Sequence, residues 1–158
     1  DDRTLAVASD LVATMRSHAG CVGLAAPQIG ELLRVIVVDV TAHPRAVMAH
    51  GELILLNPEV VMSTGTQMGR EGCLSLPGLT ANVRRAARVV ITGLSTEGEE
   101  ILLDTQGFEA RVLQHELDHL DGILIHDRVE TFADLFPRGH ATRQHAHGRP
   151  PAALTPPR

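Results

Sequence analysis

Apolar residues recur along the chain at two different periods, and the changes of period divide it into helix, strands and helix again. Leu5, Ala8, Leu11, Val12 and Met15 fall three and four residues apart, so the spacing predicts an amphipathic first helix ending near Gly20. Arg34 to Val40 is a β-branched run bounded by polar and turn residues, and it reads as a buried strand. Glu52 to Leu56 reads as a second strand, stopped by Asn57-Pro58. Val83 to Thr92 and Glu100 to Leu103 read as two more, joined by a loop around Thr96-Glu97-Gly98. Helical spacing returns from about Phe108 to Leu120 and is closed by Asp121-Gly122. This order predicts an α+β domain: an N-terminal helix, and mixed or antiparallel strands packed around a central helix.

From Leu135 onward the period vanishes. The segment 135–158 is rich in Pro, Gly and His and carries four Arg and no acid, so it is expected to be a disordered tail behind a folded domain of residues 1–134. At 158 residues and 44% hydrophobic content, the chain is long enough for one domain with a real core. No apolar run approaches the ~20 residues that span a bilayer, which argues against a membrane role. The net charge is -5, every basic residue is Arg, and Trp and Tyr are absent. With three Phe only, there is no platform on which bases could stack, so no dedicated nucleic-acid site is expected. Two cysteines and no signal peptide point to a reducing cytoplasm.

The chemistry concentrates in Gln114-His115-Glu116-Leu117-Asp118-His119, which has the His-Glu-x-x-His form. A helix turns about 100° per residue, so His115 and His119 stand one turn apart on one face and both imidazoles reach one ion. Glu116 stands beside that ion, where a carboxylate takes a proton from metal-bound water without being a ligand. Two His need a third ligand. The metzincin spacing would put a His at Ile125, and His126 comes one residue late; a thermolysin-like Glu downstream has Glu130 as its only candidate. Upstream, Glu71-Gly72-Cys73-Leu74-Ser75-Leu76-Pro77 offers a cysteine among turn-marking residues, and a thiolate suits Zn(II) or Fe(II). Cys21 has no His or acid beside it and reads as a small packed residue. In Gly23-Leu24-Ala25-Ala26-Pro27-Gln28-Ile29-Gly30, a loop between helix and strand, Gln28 presents a neutral amide that could donate to a developing oxyanion without titrating.

Three of these segments, Gly23–Gln28, Glu71–Ser75 and Gln114–His119, resemble in their order and spacing the three signature motifs of the peptide deformylases; Leu56-Asn57-Pro58-Glu59 is similar to a further segment of that family. The resemblance runs from about Leu5 to Val129. It implies removal of the N-formyl group from nascent polypeptides that begin with formyl-methionine, with release of formate. It also implies one divalent metal ion, Fe(II) expected in the cell and Zn(II), Ni(II) or Co(II) able to replace it. Carried over residue by residue, Cys73, His115 and His119 would be the ligands and Glu116 the general base and acid. Gln28 and the backbone N–H of Leu74 would hold the oxyanion. Val22 and Gly23 would pair with the substrate main chain, and Val22, Phe108 and Val112 would help line the methionine pocket. Glu71 would be supported by an ion pair with Arg84 or Arg85.

The chain opens at Asp1 almost directly on the first helix, so the deformylase-like domain of 1–134 is expected to be shortened at its N-terminus. Pro150, Pro151, Pro156 and Pro157 make a basic ribosome-contacting helix improbable in the tail, leaving at most a weak, salt-sensitive ribosome contact. A cytoplasmic monomer is expected. The other readings are a metallopeptidase or amidase with the same ligands, and a metal-binding domain without catalysis. Glu116 and Gln28 argue against the last, because a purely structural site would close its fourth position with another protein ligand.

Overall fold

The computed structural model describes residues 1–138. Helix α1 (Asp2–Ser17) starts on Asp1, whose carboxylate accepts the Thr4 amide at 2.8 Å, and it buries Val7, Ala8, Leu11 and Met15. It stops before Gly20: the Ser17 hydroxyl and the His18 ring turn back onto the Thr14 carbonyl and satisfy the last turn. Where the sequence predicted only a loop, the chain makes strand β1 (Gly23–Ala25) and a single 3₁₀ turn, Ala26–Ile29. Three residues are too few to show a period.

Strand β2 (Val35–Val38) is buried on both faces, which explains its unbroken β-branched run. Strand β3 (Leu53–Thr64) does not stop at Asn57-Pro58 as expected. Asn57 takes a positive φ of 49°, its amide donates to the Arg34 carbonyl at 2.8 Å, and the ladder resumes at Glu59 after a bulge. Asn tolerates the left-handed region, and the bulge accommodates a proline that has no N–H to give. Strand β4 (Gln67–Cys73), absent from the sequence reading, pairs with β5 (Leu76–Arg85). Then come β6 (Arg88–Leu94), β7 (Glu100–Gln106), α2 (Gly107–Leu120), the short helix α3 (Ile125–Arg128) and β8 (Leu135–Pro137).

The single strand expected over Val83 to Thr92 is two strands in two sheets. A five-stranded sheet runs β1-β2-β3-β6-β7 and a three-stranded sheet β4-β5-β8, every pair antiparallel. The chain changes sheets at Ala86-Ala87. There the Gln114 side chain of α2 accepts the Ala86 amide and donates to the Ala86 carbonyl, both at 3.0 Å, replacing the ladder partners that the crossover gives up.

Alternation along β2 fixes the layers. Val35 and Val37 join the cluster with α1, whereas Ile36 and Val38 join the cluster with Ala110, Val112, Leu113 and Leu117 of α2. Helix α2 therefore lies against the opposite face of the large sheet from α1, with the small sheet on its other side, as the expected α+β arrangement requires. It ends on Gly122, at φ 73°, where the Gly122 and Ile123 amides reach back to the His119 and Asp118 carbonyls. Leu135–Pro137 pair with Leu79–Ala81 and Leu135 packs beside Ile125, so ordered structure runs past the boundary expected at residue 134. The rest of the expected tail, 139–158, lies outside the described residues. Among the described residues no helix is long and apolar enough to cross a membrane.

Candidate active site

Strand alternation and helical spacing bring the candidate ligands together. At the end of β4, Glu71 and Cys73 point to the same side and are both buried. On α2, His115 and His119 stand one turn apart and are also buried. The Cys73 Sγ lies 3.1 Å from His119 Nε2, the two Nε2 atoms are 3.1 Å apart, and all three donor atoms fall within 4.8 Å of one another. Ligands of a tetrahedral ion at ordinary Zn–N and Zn–S lengths stand about 3.3 to 3.6 Å apart, so a group with two separations of 3.1 Å and none beyond 4.8 Å is of a size to hold such an ion once its side chains adjust. No fourth His, Cys, Asp or Glu joins this group among the described residues. A set of three leaves water or substrate to complete the coordination.

The thiol is prepared for that role. Burial opposes ionisation of Cys73, but the His115 and His119 imidazoles beside it overturn that cost and bring its pKa down to about 5. The Ser75 amide also reaches Sγ, at 3.4 Å. His115 Nδ1 lies 2.8 Å from Glu71 Oε1, a contact suited to an Nδ1 proton, which would leave Nε2 to face a metal ion.

Glu71 is the hub behind the ligands. Arg85 grips both of its oxygens (2.9 and 2.8 Å) and Arg111 adds a third bond at 2.7 Å. Burial raises the Glu71 pKa, and the bonds from Arg85 and His115 outweigh it, taking the carboxyl down to about 2. Arg85 also binds Asp118, which Arg128 holds through both oxygens. Of the two arginines the sequence offered for Glu71, Arg85 is the partner; Arg84 pairs with Glu130 at the surface.

The candidate base stands against the first motif. Glu116 is 4% exposed and its Oε2 has no hydrogen-bond partner among the described residues. Burial pushes its pKa up to about 7, against the pull of His115 and His119. A Cβ on Gly23 would come within 2.9 Å of Glu116 Oε1, so glycine there lets the β1 backbone pass directly over the carboxylate. Gln28 Oε1 accepts the Ala25 amide at 2.9 Å, which turns Nε2 toward Ser75 Oγ (3.1 Å) and Cys73 Sγ (3.5 Å). A cavity of about 340 Å³ opens here, and Val22, Gly23, Gln28, Cys73, Leu74, Phe108, Val112, His115 and Glu116 all line it. His119 alone of the expected site residues is not in its wall; its Nε2 lies 3.1 Å from that of His115, which is.

Several contributors were invisible along the chain. Arg111 is 2% exposed and bonds the Gln67 and Val83 carbonyls as well as Glu71. Gly69 leaves it room, since a Cβ there would stand 2.9 Å from its Cζ. The available signal was helical spacing: Arg111 precedes His115 by four residues and so shares its face. His43 and Arg45, from the loop after β2, pack on the Phe108 ring with centroid distances of 4.2 and 4.6 Å. Cys21, half-buried with its thiol donating to the Gly23 carbonyl at 3.3 Å, also reaches the cavity wall.

A family model described as polypeptide deformylase matches residues 1–134. Peptide deformylases of Acetivibrio thermocellus and Thermodesulfovibrio yellowstonii are 46% and 43% identical to this chain, each over 85% of it and over 74% and 80% of their own lengths. Among solved structures, a class I type b peptide deformylase of Acinetobacter baumannii bound to Met-Ala-Ser superposes with a TM-score of 0.74 at 37% identity, covering 81% of this chain and 82% of its own. The Thermotoga maritima peptide deformylase does so with a TM-score of 0.74 at 36% identity, covering 83% and 84%.

Proposed function

The chain belongs to the peptide deformylases, metal-dependent hydrolases that remove the N-formyl group from nascent polypeptides, and from that premise we propose how its residues divide the work. Cys73, His115 and His119 hold the metal, Glu116 moves the protons, and Gln28 Nε2 with the Leu74 N–H receives the oxyanion. The observation that carries this reading is the close triangle of three donor atoms with the unpartnered Glu116 Oε2 close by in the same cavity. When bound, the ion acidifies a water and polarises the formyl carbonyl.

Glu116 takes one proton from the attacking water as the water oxygen bonds to the formyl carbon. It then gives that proton to the departing amine nitrogen as the C–N bond breaks, releasing a free N-terminal amine and formic acid, which loses its remaining water-derived proton to become formate. A pKa near neutrality suits a group that must do both. Gln28 is fixed for donation because its oxygen is already committed to Ala25; one such donor is typically worth ~10² to 10³ in rate. Val22, Phe108 and Val112 form the apolar wall suited to a methionine side chain, and Val22 and Gly23 offer backbone to the peptide.

The finer readings follow from the same site. Fe(II) is the expected cellular ion, supported by a donor set with one soft thiolate and two imidazoles. Activity of the Fe(II) enzyme should then decay in air and persist after Ni(II) substitution; equal decay of both would remove iron oxidation as the cause. A cytoplasmic location fits a substrate made on ribosomes, and a monomer is the expectation that accompanies it. The weak ribosome contact rests on Arg138, Arg143, Arg149 and Arg158, of which the last three lie beyond the described residues.

The test is formate release by anaerobically purified, metal-loaded protein from formyl-Met-Ala-Ser, beside its acetylated and unformylated counterparts. Formate from the first alone is expected. Cleavage of an internal peptide bond, or no discrimination between formyl and acetyl, would contradict the proposal.

A further inference from the structure

Eleven arginines lie within residues 1–138, and eight of them have a carboxylate within ion-pair distance. The three with no such partner among the described residues, Arg45, Arg70 and Arg138, all line the cavity in front of the proposed metal ligands. They are held in place by neutral groups. Arg45 Nη1 donates to the Arg70 carbonyl at 2.8 Å, and its guanidinium covers Phe108. Arg70 donates to Asn82 Oδ1 (3.1 Å) and Thr80 Oγ1 (3.2 Å), with its guanidinium 3.9 Å from the Phe136 ring centroid. The Arg138 amide donates to the Gly78 carbonyl, and its guanidinium lies so close over Gly72 that a Cβ there would be 2.6 Å from Nη2.

In a chain whose acids outnumber its basic residues, two anchored guanidiniums, of Arg45 and Arg70, and a third, of Arg138, lying over Gly72, none with a carboxylate partner among the described residues, surround one opening and suit an anion. The acids that line the cavity are taken: Glu71 by Arg85, Arg111 and His115, and Glu116 by the chemistry assigned to it. Residues 135–158 contain no Asp or Glu, so that segment offers these arginines no side-chain carboxylate. Burial and the Arg111 guanidinium both press on the Arg45 charge, a cost that a bound carboxylate would relieve.

We propose that Arg45, Arg70 and Arg138 form a cationic rim that binds a carboxylate on the substrate peptide downstream of its formylated residue, so that the enzyme favours nascent chains with an acidic residue near the start. This rests on the reading that the cavity holds a formylated peptide. The carboxylate has two sources, an acidic side chain or the free C-terminus of a short peptide, and the rim's chemistry serves either.

The experiment uses metal-loaded enzyme and formyl-Met tetrapeptides with Asp, Asn or Lys at the second, third or fourth residue, each as C-terminal acid and as amide. At low ionic strength the best Asp amide should exceed its Asn counterpart about fivefold in kcat/KM, chiefly through KM. The advantage should shrink as salt screens it. Acids exceeding amides at equal sequence would assign the rim to the chain end, which is the same chemistry from the second source. R45Q/R138Q, both exposed positions, and separately R70Q should bring the ratio toward one. R88Q, which removes a charge paired with Asp104, should leave it unchanged. Calorimetric binding of the unformylated product peptides gives the ratio without turnover, so an enzyme releasing no formate would contradict the proposed reaction while the rim is still judged by binding. Equal handling of Asp, Asn and Lys peptides, or a preference that survives the variants, would overturn the rim. So would loss of ribosome co-sedimentation in R45Q/R138Q with the peptide ratio intact, which would assign it to RNA phosphate.

Discussion

Helices α1 and α2 pack on opposite faces of the same sheet, yet they are held by different physics. Helix α1 buries Val7, Ala8, Leu11 and Met15 against Leu24, Val35 and Val37 and leaves its polar side in water. Helix α2 is enclosed on both sides and buries Glu109, Arg111, His115, Glu116, Asp118 and His119 along with its apolar residues. Burying charge is tolerated there because nearly every buried charged group has a partner: Glu71 with Arg85, Arg111 and His115, Asp118 with Arg85 and Arg128, Glu109 with Thr105 and His50. The exception among the described residues is Glu116, whose Oε2 has no partner and which the proposed reaction uses as its proton carrier. One helix stabilises the fold; on that proposal, the other spends stability on positioning ligands.

That contrast is most sharply broken at the ligand itself. Cys73→Ser should cost more metal affinity than the ~10- to 100-fold expected for a residue that only supports a ligand, since an alkoxide forms far less readily than a thiolate. Metal content after gel filtration checks it, and a fully loaded, active variant would move the third ligand elsewhere. Next comes the network: Arg111→Met should lower stability by ~3 to 5 kcal/mol because Glu71 loses a buried partner. It should also weaken metal binding ~10- to 100-fold by loosening His115. Denaturant titration and metal competition measure the two losses, which should move together. The α1 counterpart, Leu11→Ala, should cost ~2 to 5 kcal/mol through a cavity alone. With stability restored by lower temperature, its metal affinity should equal that of the parent chain; a matching loss of metal would erase the distinction between the helices.

The same contrast explains what could be read along the chain. Helix α1 and β2 were legible because their burial is apolar and periodic, and the meeting of His115 and His119 on one face because His-Glu-x-x-His encodes a helix face. Strand β3 beyond Asn57 was not: Val60, Val61 and Met62 are exposed and show no alternation. Strand β4, with two glycines and two charged residues in Gln67–Cys73, has no β signature, and its burial comes from Glu71 and Cys73 facing α2. The break between β5 and β6 was hidden because Val83 to Thr92 reads as one β-rich run; only the Gln114 side chain, 28 residues away, marks the crossover. Arg111, Asp118 and Arg128 read as surface charges until partners from three other segments are seen. Buried ion pairs between distant segments leave no local period to detect.

The division of labour on α2 turns on Glu116, a buried carboxylate read as a proton carrier and not a ligand. The direct measurement is made on Glu116→Gln: metal stoichiometry and formate release from formyl-Met-Ala-Ser, in the same preparation. A full complement of metal with turnover reduced by ~10² to 10⁴ is the result expected for loss of a general acid–base group. Loss of the metal would make Glu116 a ligand, and near-normal turnover would place the proton carrier elsewhere; either would contradict the assignment.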